Sequence, residues 1–312
     1  MNRSILMNHR GQLHFLFPDV RVARSPDIIF HPLAPMNYEK YPWLRNLDSP
    51  GAKDFLSRAN AILVQNGVFT FPHFLSAKAL QEARLETITK AAHAFESNDK
   101  HNVYLLPGAD PSLSPSHVRN REYPTRVASI AYDELDEGGT LAALYNTDTL
   151  AEIVRRVTGL PGCYHSADPL GRCSVNVFKN GWKHAWHFDE SEYSTTLMLQ
   201  KPESGGVFQY TKPIRNGQHE LVADTVEEIL DDSIPAPKRL VQRNDLEFEE
   251  GTLSIFCGRR SLHRVTDCAG FKDRLVAVFA FSREPGYCNS ESVQRLFWGR
   301  AGGEPRVNIS KL

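Results

Sequence analysis

The chain has 312 residues, a hydrophobic fraction of 41% and a formal net charge of −1 at pH 7. This composition is typical of a folded protein with a sizeable core and excludes a disordered chain. The near-neutral charge gives no electrostatic reason to expect nucleic acid or an anionic membrane as a partner. No apolar run reaches the roughly 18 residues that a membrane helix needs.

The five cysteines are an odd number and include no CxxC pair. Reduced thiols and a cytoplasmic location are therefore expected. The first 20 residues carry Arg3 and Arg10 and no acidic residue before Asp19. This resembles a transit segment, but the apolar stretch of a secretory signal is missing. We expect an ordinary N-terminus, with organelle targeting as the alternative.

The first half of the chain is predicted to be mainly helical. The predicted elements are a helix from Ser49-Pro50 to Gln65, a strand at Val68–Phe71, a helix from the N-cap Ser76 to about Phe95, and a helix near 150–159. The helix after Ser76 is expected to bury the side chains at helical spacing, namely Leu80, Ala83, Leu85 and Ile88. Residues 98–125 are rich in Pro, Ser, Asn and charge and are predicted to be irregular.

From Cys173 onward the pattern changes to short strands separated by turn residues. The predicted strands are Ser174–Phe178, Lys183–Asp189, Ser194–Gln200, Val207–Tyr210, Thr252–Cys257 and Arg274–Phe281. Asn180-Gly181 predicts a tight hairpin between the first two, and 213–245 reads as an insertion. The expected fold is α+β and a single domain over 1–312. A mainly helical part (1–160) would pack on a jelly roll, a cupin-like double-stranded β-helix (165–285), and a C-terminal segment (286–312) would follow.

His187 and Asp189 form an HxD motif, and His263 follows 74 residues after the aspartate. On a strand, residues i and i+2 point to the same face, so His187 and Asp189 would lie side by side. Two histidines and one carboxylate hold a mononuclear Fe(II) and leave three positions free for a chelating cosubstrate and O2. The alternative is a surface histidine beside a capping aspartate, with His263 solvated in its loop. The flanking Trp186 and Phe188 favour the metal site.

Arg274 begins a very apolar strand, 11 residues after His263. An unpaired buried charge is costly, so this arginine needs an anion. A carboxylate held by both arms of the guanidinium is the natural partner, and a salt bridge to a nearby acidic residue is the alternative. A zinc site in a cupin-like binding protein would use the same three ligands but would not require the arginine.

The order HxD, distal His and Arg resembles that of the Fe(II)/2-oxoglutarate-dependent oxygenases. Longer segments resemble the carrier-independent amino-acid halogenase and hydroxylase group, which acts on free amino acids. These segments are Trp186–Glu192, Thr195–Gln200, Gly205–Tyr210 and Gly258–Val265. The resemblance covers roughly 165–300. It implies Fe(II), 2-oxoglutarate and O2 as cofactor and cosubstrates, with Arg274 on the far carboxylate of 2-oxoglutarate.

One position divides that group, because its halogenases carry glycine where Asp189 stands here. The vacated position admits chloride, so the retained Asp189 implies hydroxylation of an unactivated C–H, with release of succinate and CO2. Desaturation or oxidative cyclisation would use the same site.

The resemblance also implies substrate contacts. In lysine-acting relatives, an acidic residue directly after the HxD-type position, a histidine three residues before it and two late aromatics meet the amino acid. The matching residues are Glu190, His184, Phe297 and Trp298. Glu190 stands where an aspartate is expected and Phe297 where a tryptophan is expected, which leaves a substrate other than lysine open. Each of these residues could instead be solvated or part of the core.

Three functions remain after this reasoning. The first is an oxygenase acting on a free amino acid or an amino-acid-derived small molecule. The second is a hydroxylase acting on a protein or nucleic acid, against which the lack of an extended basic face counts for nucleic acid. The third is a non-enzymatic metal-binding cupin-like protein. The sequence leaves the substrate and the oligomeric state undetermined.

Overall fold

The computed structural model describes residues 35–304, except 218 and 247. The helices in this part of the chain are α1 (Pro50–Asn66), α2 (Ala77–Ala91), α3 (Thr140–Tyr145), α4 (Asp148–Thr158), α5 (Ala223–Leu230) and α6 (Glu291–Trp298). The strands are β1 (Val68–Phe71), β2 (Phe95–His101), β3 (Tyr123–Ile130), β4 (Tyr164–His165), β5 (Cys173–Phe178), β6 (His184–His187), β7 (Ser194–Gln200), β8 (Ser204–Gly205), β9 (Phe208–Tyr210), β10 (Asn244–Leu246), β11 (Leu253–Phe256), β12 (His263–Val265), β13 (Cys268–Ala269), β14 (Arg274–Phe279) and β15 (Phe281–Ser282).

Two antiparallel sheets dominate the architecture. The major sheet has seven strands in the order β1-β11-β7-β14-β5-β3-β2, and the minor sheet has four in the order β10-β9-β12-β6. Two further pairs, β13-β8 and β15-β4, are short. The fold is therefore α+β with antiparallel sheets, as the sequence predicted.

The apolar run of β14 explains its central place in the major sheet. It lies between β5 and β7 and pairs with both. On one face of β14, Leu275, Ala277 and Phe279 are at most 1% exposed, and on the other face Arg274 and Val276 are 3% and 6% exposed, as expected for a strand covered on both faces. Helices α1 and α4 are joined by a hydrogen bond from the Asn60 amide to the carbonyl of Val157 at 2.8 Å.

Helix α2 differs from its prediction in length and in its buried face. It begins after the N-cap Ser76, whose hydroxyl accepts a hydrogen bond from the Ala79 amide, but it ends at Ala91. Leu85 and Ile88 are 66% and 51% exposed, whereas the small residues Ala79 and Ala83 are buried. Small side chains let the helix axis approach the sheet closely, so the buried face is offset from the stripe of larger apolar residues.

Residues 98–125 are also more regular than predicted. Strands β2 and β3 pair antiparallel from Phe95↔Ser129 to His101↔Tyr123 and form one edge of the major sheet. Most of the β2 side chains are exposed or half-buried. A polar edge strand lacks the apolar alternation that marks a strand in a sequence, and for this reason the strands at the two ends of the segment were missed. Residues 102–122 contain no helix or strand, as predicted.

The hairpin predicted at Asn180-Gly181 is wrong. Strand β5 pairs within the major sheet, whereas β6 pairs with β12 in the minor sheet. Gly181 has a left-handed φ of 76°, and its amide donates to the carbonyl of Cys268 at 2.7 Å. The turn therefore carries the chain from one sheet to the other. The predicted insertion at 213–245 contains α5 and the edge strand β10.

All five cysteines lie within the described residues and are free thiols. Among the helices of residues 35–304, none combines the length and apolar character that crossing a bilayer demands.

Candidate active site

Three side chains predicted as metal ligands meet at one end of the minor sheet. His187, the last residue of β6, is the cross-strand partner of His263, the first residue of β12. Asp189 lies two residues beyond β6. Its Oδ1 atom is 3.3 Å from the Nε2 atom of each histidine, and one ligand atom from each residue falls within 4.8 Å of the others.

Asp189 lies outside the strand that the sequence assigned to it, because the chain leaves the sheet after His187. The amide of Phe188 donates to the carbonyl of Val103 at 2.8 Å, and the amide of Asp189 donates to that of Gly258 at 3.1 Å. Phe188 is 1% exposed. The side chains of His187 and Asp189 still point the same way, and the Phe188 side chain between them packs in a separate apolar cluster with Tyr104 and Trp186.

The hydrogen bonds of both histidines fix which ring nitrogen is free. His187 Nδ1 lies 2.8 Å from the carbonyl of Ala185, and His263 Nδ1 lies 2.9 Å from that of Ser261. A carbonyl can only accept, so each Nδ1 carries a proton, and each Nε2 is the nitrogen that faces Asp189 and could bind a metal ion. Two ligand atoms that bind one metal ion at 90° to each other lie roughly 3 Å apart. The observed separations therefore fit a single metal ion.

The charges in the cluster suit metal binding as well. Burial lowers the pKa of His187, and the neighbouring His263 lowers it further, so His187 is neutral. Burial alone would raise the pKa of Asp189, but its interactions with His263 and His187 outweigh that effect and hold the pKa well below its usual range, so the carboxyl group is ionised. The cluster thus offers the Nε2 atoms of two imidazoles and one carboxylate.

The second oxygen of Asp189 has its own partner. The Ser194 hydroxyl donates a hydrogen bond to Asp189 Oδ2. On the other side, the backbone of Gly258 lies so close that an added Cβ atom would be 2.1 Å from the same oxygen. Neither residue was singled out from the sequence. Their roles depend on how the loop after β6 folds back, which no local pattern specifies.

The side chains of His187, Asp189 and His263 line a cavity of about 210 Å³, which is also lined by Arg274. Arg274 begins β14 of the major sheet, whereas His187 and His263 belong to the minor sheet. The two sheets therefore contribute different groups to one cavity.

Arg274 is 3% exposed, and its Nε donates a hydrogen bond to the carbonyl of Gly206 at 3.0 Å. Gly206 has a φ of 59°, and a Cβ there would lie 3.0 Å from Arg274 Cδ. Burial lowers the pKa of Arg274 to about 10, so it remains charged at neutral pH. Among the described residues, no carboxylate forms an ion pair with it. The salt bridge considered from the sequence is therefore not formed within that part of the chain.

The four residues expected to contact substrate line the same cavity: His184, Glu190, Phe297 and Trp298. The ring of His184 stacks on that of His187, with centroids 3.8 Å apart. Burial lowers the pKa of His184 well below its usual range, and its Nε2 has no hydrogen-bond partner among the described residues. Burial raises the pKa of Glu190, which is half-buried.

Trp298 combines a core position with a place in the cavity wall. It is 8% exposed and packs with Ala131 and Leu170. Its ring also lies against Gly171, where a Cβ atom would be 2.6 Å away. The sequence presented the core and the pocket as alternatives for this residue, but the two occur together.

A loop within the segment predicted to be irregular forms another part of the wall. The buried Asn102 side chain accepts from the amides of Tyr104 and Leu106 and donates to the carbonyl of Leu106 at 2.7 Å. These bonds hold Leu105, which lines the cavity, at a left-handed φ of 52°. Such a conformation is unusual for leucine. The chemistry of Asn102 is a turn signal, but nothing local indicates what the turn faces.

His101 supports the ligand strand from behind. Its Nε2 lies 2.6 Å from the Thr125 hydroxyl, which also accepts from the amide of Ala185 at 3.0 Å. Ala185 in turn provides the carbonyl for His187. Burial, with a smaller contribution from His187, lowers the pKa of His101 to about 4. A neutral hydrogen-bonded chain therefore leads from β2 to the candidate ligand.

Solved structures similar to this chain share low sequence identity with it. One is the non-heme alpha-ketoglutarate-dependent epimerase SnoN of nogalamycin biosynthesis, with 14% identity, a TM-score of 0.49 and coverage of 75% of this chain and 83% of that chain. A 2OG-Fe(II) oxygenase family oxidoreductase from Burkholderia pseudomallei has 14% identity, a TM-score of 0.46 and coverage of 74% and 92%. A prolyl-4-hydroxylase from Pseudomonas putida has 16% identity, a TM-score of 0.41 and coverage of 73% and 99%.

No curated protein sequence matched the chain. The model of one protein family, Halogenase D, matches residues 117–295. That range is more than half of the chain and contains the whole candidate metal cluster and Arg274. The chain therefore belongs to the Halogenase D family and is an enzyme of the Fe(II)/2-oxoglutarate-dependent oxygenase superfamily.

Proposed function

We propose that this enzyme hydroxylates an unactivated C–H bond of a free amino acid or an amino-acid-derived small molecule. His187, Asp189 and His263 would hold Fe(II), and 2-oxoglutarate and O2 would be the cosubstrates. When bound, the iron and 2-oxoglutarate supply the oxidising power: one oxygen atom of O2 enters the substrate, and the other enters succinate as CO2 is lost. The protein positions the reactants and excludes water.

The observation that carries the proposal is the carboxylate of Asp189 between the imidazoles of His187 and His263. In the amino-acid halogenase and hydroxylase group that this chain resembles, the halogenases carry glycine at this position, and chloride takes the place of the carboxylate. Because Asp189 is present and faces both Nε2 atoms at 3.3 Å, hydroxylation is favoured over halogenation in this member of the family. A double-stranded β-helix belongs to the same proposal and is supported by two antiparallel sheets that line one cavity.

Arg274 supports 2-oxoglutarate as the cosubstrate. With Nε on the carbonyl of Gly206, the two terminal nitrogens of the guanidinium would pair with the far carboxylate of 2-oxoglutarate. A buried cation in the wall of the cavity also argues against a purely structural metal site, which would not need it.

An anaerobic titration tests the proposal. Fe(II) and then 2-oxoglutarate are added to metal-free protein, and the weak visible charge-transfer band of the chelate is followed. We expect the band, followed by amino-acid-stimulated release of succinate when O2 is admitted. Mass spectrometry then separates the outcomes: gain of one oxygen supports hydroxylation, and loss of two hydrogens indicates desaturation or cyclisation. A chlorinated product, or iron-loaded folded protein without a band, would contradict the proposal.

A further inference from the structure

We propose that Ser194 is a positioning residue which, together with Gly258, restricts Asp189 to a single oxygen facing the metal. The inference rests on the proposed function, since it concerns how Asp189 would meet Fe(II). It assigns a role to a hydroxyl and a glycine that are not ligands themselves.

The hydroxyl of Ser194 is directed at the outer oxygen of Asp189. A carboxylate can only accept hydrogen bonds, so Ser194 donates to Oδ2. Ser191 Oγ lies 3.2 Å from Ser194 Oγ. Because Ser194 has already donated its one hydrogen, Ser191 is the donor in that pair. Ser191 thus donates to Ser194, and Ser194 donates to the carboxylate of Asp189.

The backbone of Ser194 is fixed independently of the site. Ser194 is the first residue of β7, pairs with Phe256 of β11 and is 9% exposed. A side chain with one rotatable bond on such a strand has little freedom to follow Asp189 elsewhere. The Ser194 hydroxyl therefore has a fixed position, and the carboxylate of Asp189 is hydrogen-bonded to it.

Gly258 closes the other side of Asp189. Its carbonyl accepts from the Asp189 amide at 3.1 Å. A Cβ atom on residue 258 would lie 2.1 Å from Oδ2 and 2.8 Å from Cγ of Asp189. Only a residue without a side chain leaves the space that this orientation of the carboxylate needs.

The consequence concerns the number of positions left on the metal. A carboxylate with two unengaged oxygens can chelate an ion through both. Here Oδ2 is engaged by Ser194, and Oδ1 faces the two imidazoles. One oxygen from Asp189 and two imidazoles leave the three positions that a chelating cosubstrate and O2 require.

Ser194→Ala tests this role without relying on turnover. We expect the Kd for Fe(II), measured by anaerobic titration, to rise about 10- to 100-fold, as is usual when a group supporting a metal ligand is lost. The charge-transfer band of the Fe(II)·2-oxoglutarate complex should also change in energy or intensity. Ser254→Ala is the matched control. Ser254 lies on β11 beside β7 and is also buried, but its hydroxyl pairs with that of Thr196 at 2.7 Å. The Fe(II) affinity and the band of this variant should match those of the wild type.

Gly258→Ala is a second variant that does not depend on the serine. Gly258 is outside the left-handed region, so alanine causes no backbone strain there, and the atoms nearest to its Cβ are those of Asp189. We expect weaker Fe(II) binding than in Ser194→Ala. Wild-type Fe(II) affinity and an unchanged band in folded Ser194→Ala would overturn this inference and leave the proposed function intact. If the serine variant does not fold, wild-type Fe(II) affinity in Gly258→Ala would have the same meaning. A wild-type protein that binds no Fe(II) would overturn the proposed function together with it.

Discussion

Removing the charge of Arg274 should weaken 2-oxoglutarate binding more than any other change outside the metal ligands. Its Nε is committed to Gly206, so two terminal nitrogens remain for the carboxylate. Hydrogen bonds to a charged partner contribute about 1.5–3 kcal/mol each, so Arg274→Met should lose about 3–6 kcal/mol. Since about 1.4 kcal/mol corresponds to a tenfold change in Kd, the Kd should rise about 10²- to 10⁴-fold. Arg274→Lys keeps the charge and loses the fork, and we expect a rise of about 10- to 100-fold.

The assay is the anaerobic titration of the Fe(II)-loaded protein with 2-oxoglutarate, followed by its charge-transfer band. Pyruvate serves as the control ligand, because it retains the keto acid that chelates iron but lacks the distal carboxylate. Wild type and Arg274→Met should therefore bind pyruvate alike. A folded Arg274→Met protein with wild-type affinity for 2-oxoglutarate would refute the reasoning, and an equal loss of affinity for pyruvate would show that Arg274 acts on the metal site instead.

Three further predictions concern the metal, the core and pH. His263→Ala should abolish Fe(II)-dependent turnover, and succinate release comparable to wild type would contradict the metal assignment. Phe71→Ala should lower the free energy of unfolding by about 3–5 kcal/mol, because the ring is fully buried in an aromatic cluster; urea unfolding of the metal-free protein measures this, and Fe(II) affinity should be retained. The pKa of His101 is about 4 in the folded protein, against 6.5 in the unfolded chain. As the pH falls, the unfolded state therefore binds the proton first. Stability should fall as pH drops from about 6.5 to 4, by up to about 3 kcal/mol from this residue, and His101→Gln should show a shallower dependence in unfolding curves collected across that range.

The parts of the fold that could be predicted are those with a strong local signal. Caps such as Ser49 and Ser76 mark the starts of α1 and α2, and the apolar run after Arg274 marks the central strand. Strand pairing was less accessible, because Asn180-Gly181 has the composition of a hairpin turn and yet joins two sheets. Partner choice depends on contacts far along the chain, which local patterns do not contain.

The candidate site divides along the same line. His187, Asp189, His263 and Arg274 were identified because their chemistry is unusual for strands and for an apolar run. Ser194 and Gly258 have no such mark, and their contacts with Asp189 arise only when separate segments converge. Residue type and spacing thus predict candidate ligands, whereas the groups that would orient them are visible only in the folded structure.

The pairing of His187 with His263 across β6 and β12 has a consequence for folding. On the proposed function, the ion would act as a removable cross-link between two strands that lie 76 residues apart in the sequence. Ligand binding to the native state stabilises it by about 2.7 kcal/mol at a ligand concentration 100 times the Kd. The iron supply of the cell would then set not only how much enzyme is active but also how long each molecule resists unfolding and proteolysis.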